Sequence, residues 1–240
     1  MGPCNGHLFV SKTQVRQVLL VFERQVLHIV LTAILLAGTA WLSHGAGTLE
    51  GSYGGVSTSR WFWWSIAAPI IHQIWVWLCW RLELHHNALS RYLGDWGFRI
   101  YAFGFAAAAF FRFYTLVGLG EANRGSLAVS QPILDTVTLI MVVSTVYLFY
   151  SVARYFSFKR ALGADHFDES YRSLPLETRG IYRFTSNGMY IFGFFAVWLP
   201  GLLYASEAAL LSAAFSHLYI WVHYYCTELP DMKRIYGGSG

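Results

Sequence analysis

Charged side chains are scarce here: Asp, Glu, Lys and Arg make up 12% of the 240 residues, about half the share of a soluble globular domain. That scarcity excludes an ordinary soluble fold. With 55% hydrophobic and 18% aromatic residues it also excludes a disordered or collagen-like chain. A net charge of +4 does not point to nucleic acid either, because the basic residues are sorted by membrane side, as set out below. Cysteine is nearly missing. Cys4, Cys79 and Cys226 are an odd set, far apart, which gives neither a disulfide framework nor a CxxC metal site. Histidine boxes are missing too: His85-His86 is the only adjacent pair, and no HxxxH or HxxHH spacing occurs. His28, His72, His217 and His223 lie in or near apolar runs, so hydrogen bonding between helices is their expected use, ahead of haem or di-iron ligation. No small-residue cleavage site follows the N-terminal stretch, so no cleaved signal peptide is expected.

What the chain does have is apolar runs long enough to cross a bilayer, which takes about 17–25 residues. They fall at 25–43, 61–80, 98–119, 132–156, 189–205 and 207–226. The expectation is an all-α polytopic membrane protein of about six transmembrane helices. Leu199-Pro200-Gly201 and Ala205-Ser206-Glu207 interrupt the last 38 residues of apolar sequence, 189–226. One helix of that length would overshoot the membrane, so a helical hairpin is expected. Segment 43–59, with Gly45, Gly47, Gly51, Gly54 and Gly55, reads as a flexible connection without a domain of its own.

Orientation follows from Lys and Arg. Fourteen of the seventeen fall on one side: Lys12, Arg16 and Arg24; Arg81, Arg91 and Arg99; six between Arg154 and Arg183; then Lys233 and Arg234. Arg60 and Arg124 are on the other, and Arg112 lies within the third run. By the positive-inside rule both termini are expected to be cytoplasmic. Trp41, Trp61, Trp63 and Trp64 then form an outer belt, and Trp75, Trp77 and Trp80 approach the inner one. The polar loop 156–187 faces the cytoplasm together with the tail, so chemistry with a soluble cosubstrate is expected there.

Two segments exceed what a span boundary requires. Gly180-Ile-Tyr182-Arg183 leads to Asn187-Gly188-Met189-Tyr190 before the fifth run, and Glu228-Leu229-Pro230-Asp231-Met232 leads to Tyr236-Gly237 after the sixth. Taken alone, the first could be an entry turn with a helix cap, and the second a basic amphipathic tail on the membrane surface. A hairpin returns both to the same rim. Together they resemble the membrane methyltransferases that comprise the phosphatidylethanolamine N-methyltransferases and isoprenylcysteine carboxyl methyltransferases. Those enzymes carry Gly-x-Tyr-Arg, then His-Pro or Asn-Pro and a Tyr, a helical hairpin, and a Glu-Glu pair followed by aromatic-Gly. The resemblance covers about residues 155–237, with residues 1–155 as N-terminal transmembrane helices and 156–240 as the methyltransferase-like core. Gly188 stands for the family proline, Asn187 for the His of the prenylcysteine branch, and Leu229 for the second acid. The first two departures favour the phospholipid type.

The resemblance implies S-adenosylmethionine as cofactor and a lipid or other lipophilic acceptor in the bilayer, with no nucleic acid partner and no metal. Its ammonium calls for an acid, its carboxylate for donors and its sulfonium for electron-rich rings. Glu228 suits the first, Arg183 or Asn187 the second, and Tyr182, Tyr190 or Tyr224 the third. His166, beside Asp165 and Asp168, is the expected general base, with Asp168 as its catalytic companion. His217, Trp221, Tyr224 and Glu228 share one stripe of the sixth helix, either as a packing seam or as the wall of a substrate channel. Arg112, the one basic residue far from both ends of its span, is expected to be either a functional-site residue or one half of a structural ion pair with Glu207 or Glu121. Rival expectations are an NADPH-dependent membrane reductase of the sterol-reductase type, which would use the arginines at 172–183, and a non-catalytic scaffold or transporter subunit.

Overall fold

The computed structural model describes residues 19–45, 48–175 and 177–237. Lys12 and Arg16 of the basic set, Cys4 and Gly47 lie outside the described residues. Four helices are long and apolar enough to cross a membrane: Leu19–Leu42, Thr58–His86, Trp96–Ala122 and Gln131–Phe156. Their regular α-helical parts are α1 (Gln25–Leu42), α2 (Thr58–His86), α4 (Trp96–Ala122) and α5 (Gln131–Ser151), with a short α3 (Ala88–Leu93) between the second and third and a one-turn α6 (Phe158–Ala161) after the fourth. The protein is an all-α polytopic membrane protein, and its only described strands are the two-residue pair β1 (Ser52–Tyr53) and β2 (Val56–Ser57).

The fifth run is not one α-helix. It is α7 (Gly188–Ile191), a 3-10 stretch Gly193–Trp198, and α8 (Leu199–Leu203). The 3-10 geometry rises about 2.0 Å per residue against about 1.5 Å for α, so this short run reaches roughly 27 Å, close to a hydrocarbon thickness. Gly193 allows it to lie tight on α5, since a Cβ there would stand 2.8 Å from Leu148 Cδ2. The chain then turns at Tyr204 to Ser206. The Ser206 hydroxyl caps α9 (Glu207–His223) by accepting from Ala209 N at 3.2 Å. A π turn, Tyr224–Glu228, leads into α10 (Leu229–Tyr236).

Contacts sort the loops to two ends. At one, Gly125 and Leu127 donate to the hairpin-turn carbonyls of Tyr204 and Ala205. The loop before α2 joins that end: Thr58 Oγ1 donates to Glu50 O at 2.9 Å and Ala122 O at 3.0 Å, and Trp61 Nε1 to Tyr53 O at 3.1 Å. That loop is therefore a docked hairpin, where glycine content alone suggested a loose connection. At the other, Arg234 pairs with Glu23, and α10 folds back among α2 and the loop 157–187. We call it the basic end. Between the ends, Phe62, Ile66, Leu119, Ala208, Ala209, Phe215 and Tyr219 form the main packed cluster. Small residues on α9 let it approach α2 closely enough for Ser65 and Ser212 to share a 2.7 Å hydrogen bond.

Candidate functional site

A cavity of about 390 Å³ lies between α2, α4, α5, the broken fifth run and α9. Its walls are mostly apolar, with Val76, Phe105, Leu148, Val152, Phe194 and Ile220 among them. Polar groups sit at two levels: His72, Gln73 and Arg112 within the bundle, and Tyr190, His223 and Glu228 at the basic end. Phe113, Phe149 and Phe158 line it and are also exposed on the outer surface. Since α4 and α5 barely touch, the cavity opens sideways, toward where lipid would be.

Glu228 reaches this cavity because of the π turn. An α-helix would set residue 227 one turn beyond His223. The wider π turn carries residue 228 there instead, onto the face of Ile220 and His223. Its carboxylate accepts the Tyr190 hydroxyl. Loss of hydration on a site walled by protein pushes the Glu228 carboxyl up to about 7, against the opposing effects of that hydrogen bond and of the His166 charge. Near neutral pH it is thus poised between acid and anion.

The stripe on the sixth run is a seam. His217 Nδ1 accepts from Trp198 Nε1 at 3.0 Å, and its Nε2 lies 2.9 Å from Tyr190 O. A carbonyl can only accept and an indole N–H can only donate, so the proton is on Nε2. Trp221 and Tyr224 pack on the Tyr190 ring with centroids 5.7 and 5.1 Å away. All four stripe residues therefore meet the Tyr190 segment, and of the four Glu228 alone lines the cavity.

The other expected cofactor residues are less central. Tyr182 is buried behind the cavity wall, its ring 5.2 Å from Phe156. Its turn docks on the end of α5 because Gly180, at φ +60, leaves room for Ser151 Oγ to accept from Ile181 N at 3.0 Å. Arg183 is exposed, and Asn187 starts α7 without a side-chain cap. Neither lines the cavity. Arg172 bonds Glu169 and the Asp165 carbonyl, and Arg179 bonds Glu177. These two arginines do not line it either.

His166 is in a different setting from a loop base. It is 1% exposed, stacked on Trp80 with centroids 4.2 Å apart, 3.1 Å from Asp165 and 3.7 Å from Asp231. Burial alone would lower its pKa, but the hydrogen bonds and charges of Asp165 and Asp231 outweigh that and hold it at about 9. A histidine already protonated at neutral pH cannot take up a proton. Asp168 accepts from Ser170 N at 2.8 Å as the cap of a 3-10 turn at the surface, away from the cavity.

The same cluster contains two residues whose part sequence reasoning missed. Asp231 and Arg81, each with a fully buried side chain, form a 2.7 Å ion pair. Arg81 also donates to the carbonyls of Leu20 at 2.6 Å and Thr227 at 3.1 Å, and Arg234 reaches Asp231 at 3.3 Å. Tyr236 donates to Asp165 at 2.8 Å. An acid one turn after Glu228 was the available signal. Arg112 makes neither of the ion pairs named for it: Glu121 is taken by Arg124 at 2.7 Å, and Glu207 is an exposed residue at the start of α9. Among the described residues no group of three or more His, Cys, Asp and Glu is arranged to hold a metal.

Residues 134–239 match the family model of the phospholipid methyltransferases. The match begins inside α5, earlier than the motifs alone indicate, and takes in Tyr190, His223, Glu228, His166 and Asp231, while Arg81 lies outside it. No curated protein and no solved structure matches the chain.

Proposed function

Since the chain belongs, through residues 134–239, to the superfamily of membrane methyltransferases, we propose that it transfers a methyl group from S-adenosylmethionine to a lipophilic acceptor that enters its cavity from the bilayer. The observation that carries this reading is Glu228, an acid in the matched segment, held at the basic end of an apolar cavity with Tyr190 as its hydrogen-bond partner. The residues fit the group. Once ionised, Glu228 accepts hydrogen bonds from an ammonium, a charge-assisted contact. Tyr190, backed by Tyr224 and Trp221, offers a ring face to a sulfonium. S-adenosylmethionine supplies the electrophilic methyl.

Alignment is most of the catalysis in an in-line displacement, and the seam fixes the Tyr190 backbone through His217 and its ring through Trp221 and Tyr224. An amine acceptor must also give up a proton. His223 is the group for that: it is 1% exposed, lines the cavity, and has neither ring nitrogen bonded among the described residues. His166 instead holds α10 in place through Asp165 and Asp231. The arginines of 172–183 are spent on local carboxylates or stand off the cavity, which counts against a phosphate-rich NADPH site.

In this reading the basic end faces the cytoplasm, where the methyl donor is. Single cysteines at positions 52 and 170 are expected to label from opposite sides of sealed vesicles, and labelling from one side would contradict it. Thermal unfolding of the detergent-purified protein tests the chemistry. S-adenosylhomocysteine at a hundred times its Kd should stabilise by about 2.7 kcal/mol, and NADPH should not stabilise. Stabilisation by NADPH alone would favour the reductase, and by neither ligand a non-catalytic role.

A further inference from the structure

Arg112 is 6% exposed, midway along α4, and lines the cavity. Its guanidinium lies over the Phe194 ring, 4.8 Å from the centroid. Nη2 makes one long hydrogen bond, 3.4 Å, to Ser216 O, and Nε has no acceptor among the described residues. No described carboxylate lies within ion-pair distance. Beside it His72 is 4% exposed, with both ring nitrogens unbonded among the described residues, and Gln73 is 4% exposed. These three line the same part of the cavity.

A guanidinium carries five N–H donors and accepts nothing. A buried cation in a membrane span faces a partner or a pathway, and this one faces a cavity whose walls are mostly apolar, with the other polar groups at the basic end, and which is flanked by two helices, α4 and α5, that barely touch. The group that complements it must bring anionic oxygens and be attached to something apolar. Geometry separates this point from the methyl-donor end: from Ser216, level with the guanidinium, to Glu228 is twelve residues, about 18 Å of helix.

We propose that Arg112, with His72 and Gln73, forms an acid-group subsite that binds the anionic oxygens of an amphiphile, a carboxylate or a phosphate. Its hydrocarbon chain leaves between α4 and α5. That the amphiphile is the methyl acceptor rests on the function proposed above; the subsite itself does not. The acceptor would then carry its nucleophile and its acid at separate points, with Arg112 fixing the acid while the nucleophile reaches toward Tyr190.

The test is equilibrium binding of three radiolabelled probes to the full chain in nanodiscs: oleate, oleoyl lysophosphatidic acid and neutral monooleoylglycerol, with protein-free discs subtracted. At least one acid is expected to bind tenfold or more tightly than monooleoylglycerol, and which of the two does so identifies carboxylate or phosphate. Arg112→Gln should abolish the preference and Arg112→Lys retain part of it, with S-adenosylhomocysteine affinity unchanged in both. Arg112→Met replaces the Gln variant if that one aggregates. Equal binding of all three probes by the wild type, or a preference that survives loss of the guanidinium, would overturn the subsite. An acid preference without any S-adenosylhomocysteine binding would leave the subsite standing and remove the methyltransferase reading.

Discussion

Arg81 and Arg112 are both buried in this bundle, one 0% and the other 6% exposed, and they are held in opposite ways. Arg81 spends its donors on Asp231 and on the carbonyls of Leu20 and Thr227, all within the protein. Arg112 has an aromatic face, one long bond to a carbonyl, and a cavity. The difference separates two uses of a charge in a membrane protein. One whose partners are internal fastens elements together, here α2 to the tail that follows Glu228. One left facing a cavity is available to a ligand.

Mutation should expose that difference. Asp231→Asn leaves the Arg81 charge buried against a neutral partner, and breaking such a pair costs about 3–5 kcal/mol. A large drop in the detergent unfolding midpoint is expected, whereas Arg112→Gln should change stability by about 1 kcal/mol or less, since it orphans no carboxylate. Equal losses would erase the distinction.

Between those extremes lies His166. Its folded-state value of about 9 is above the ordinary 6.5, so the stability it contributes is fully present below pH 6.5 and is lost as pH rises through about 9. The shift corresponds to about 3 kcal/mol. Asp165, held below its ordinary 3.8 by His166, Tyr236 and Arg160 despite burial, works the other way, its contribution lost on acidification. Unfolding midpoints measured from pH 5 to 10 should fall above pH 7 in the wild type and stay flatter in His166→Gln; parallel curves would mean that His166 is neutral when folded.

The places of the runs were legible in the sequence, with ends off by as much as six residues at Leu19 and His86, because bilayer thickness dictates the length of an apolar run and Pro200, Gly201 and Ser206 mark the break. That the start of the fifth run returns to Glu228 was legible in outline, since a hairpin must return its ends to one rim, but the residue that meets the acid is Tyr190, while Asn187, the residue that hairpin spacing sets against Glu228, does not line the cavity. The π turn was not legible. Nothing in Tyr224-Tyr-Cys-Thr-Glu228 announces it, and it moves the acid off the face that α-helical spacing assigns. The lock was hidden for another reason: Arg81 and Asp231 are 150 residues apart, and a basic residue at the end of an apolar run already had an explanation as a topology signal. His166 looked like a solvated loop base because its neighbours in sequence are acidic. Trp80 and Asp231, which bury it and hold its charge, come from α2 and α10.

In the proposed function Glu228 receives the ammonium of S-adenosylmethionine, and this is checked by calorimetric titration of the cofactor into wild type and Glu228→Gln. With the carboxyl at about 7, wild-type affinity should weaken as pH falls below 7. At pH 8 the Gln variant should bind more weakly by about 1.5–3 kcal/mol, the worth of a hydrogen bond to a charged group, and should lose the pH dependence. Wild-type affinity in Glu228→Gln, with the same pH profile, would contradict the account.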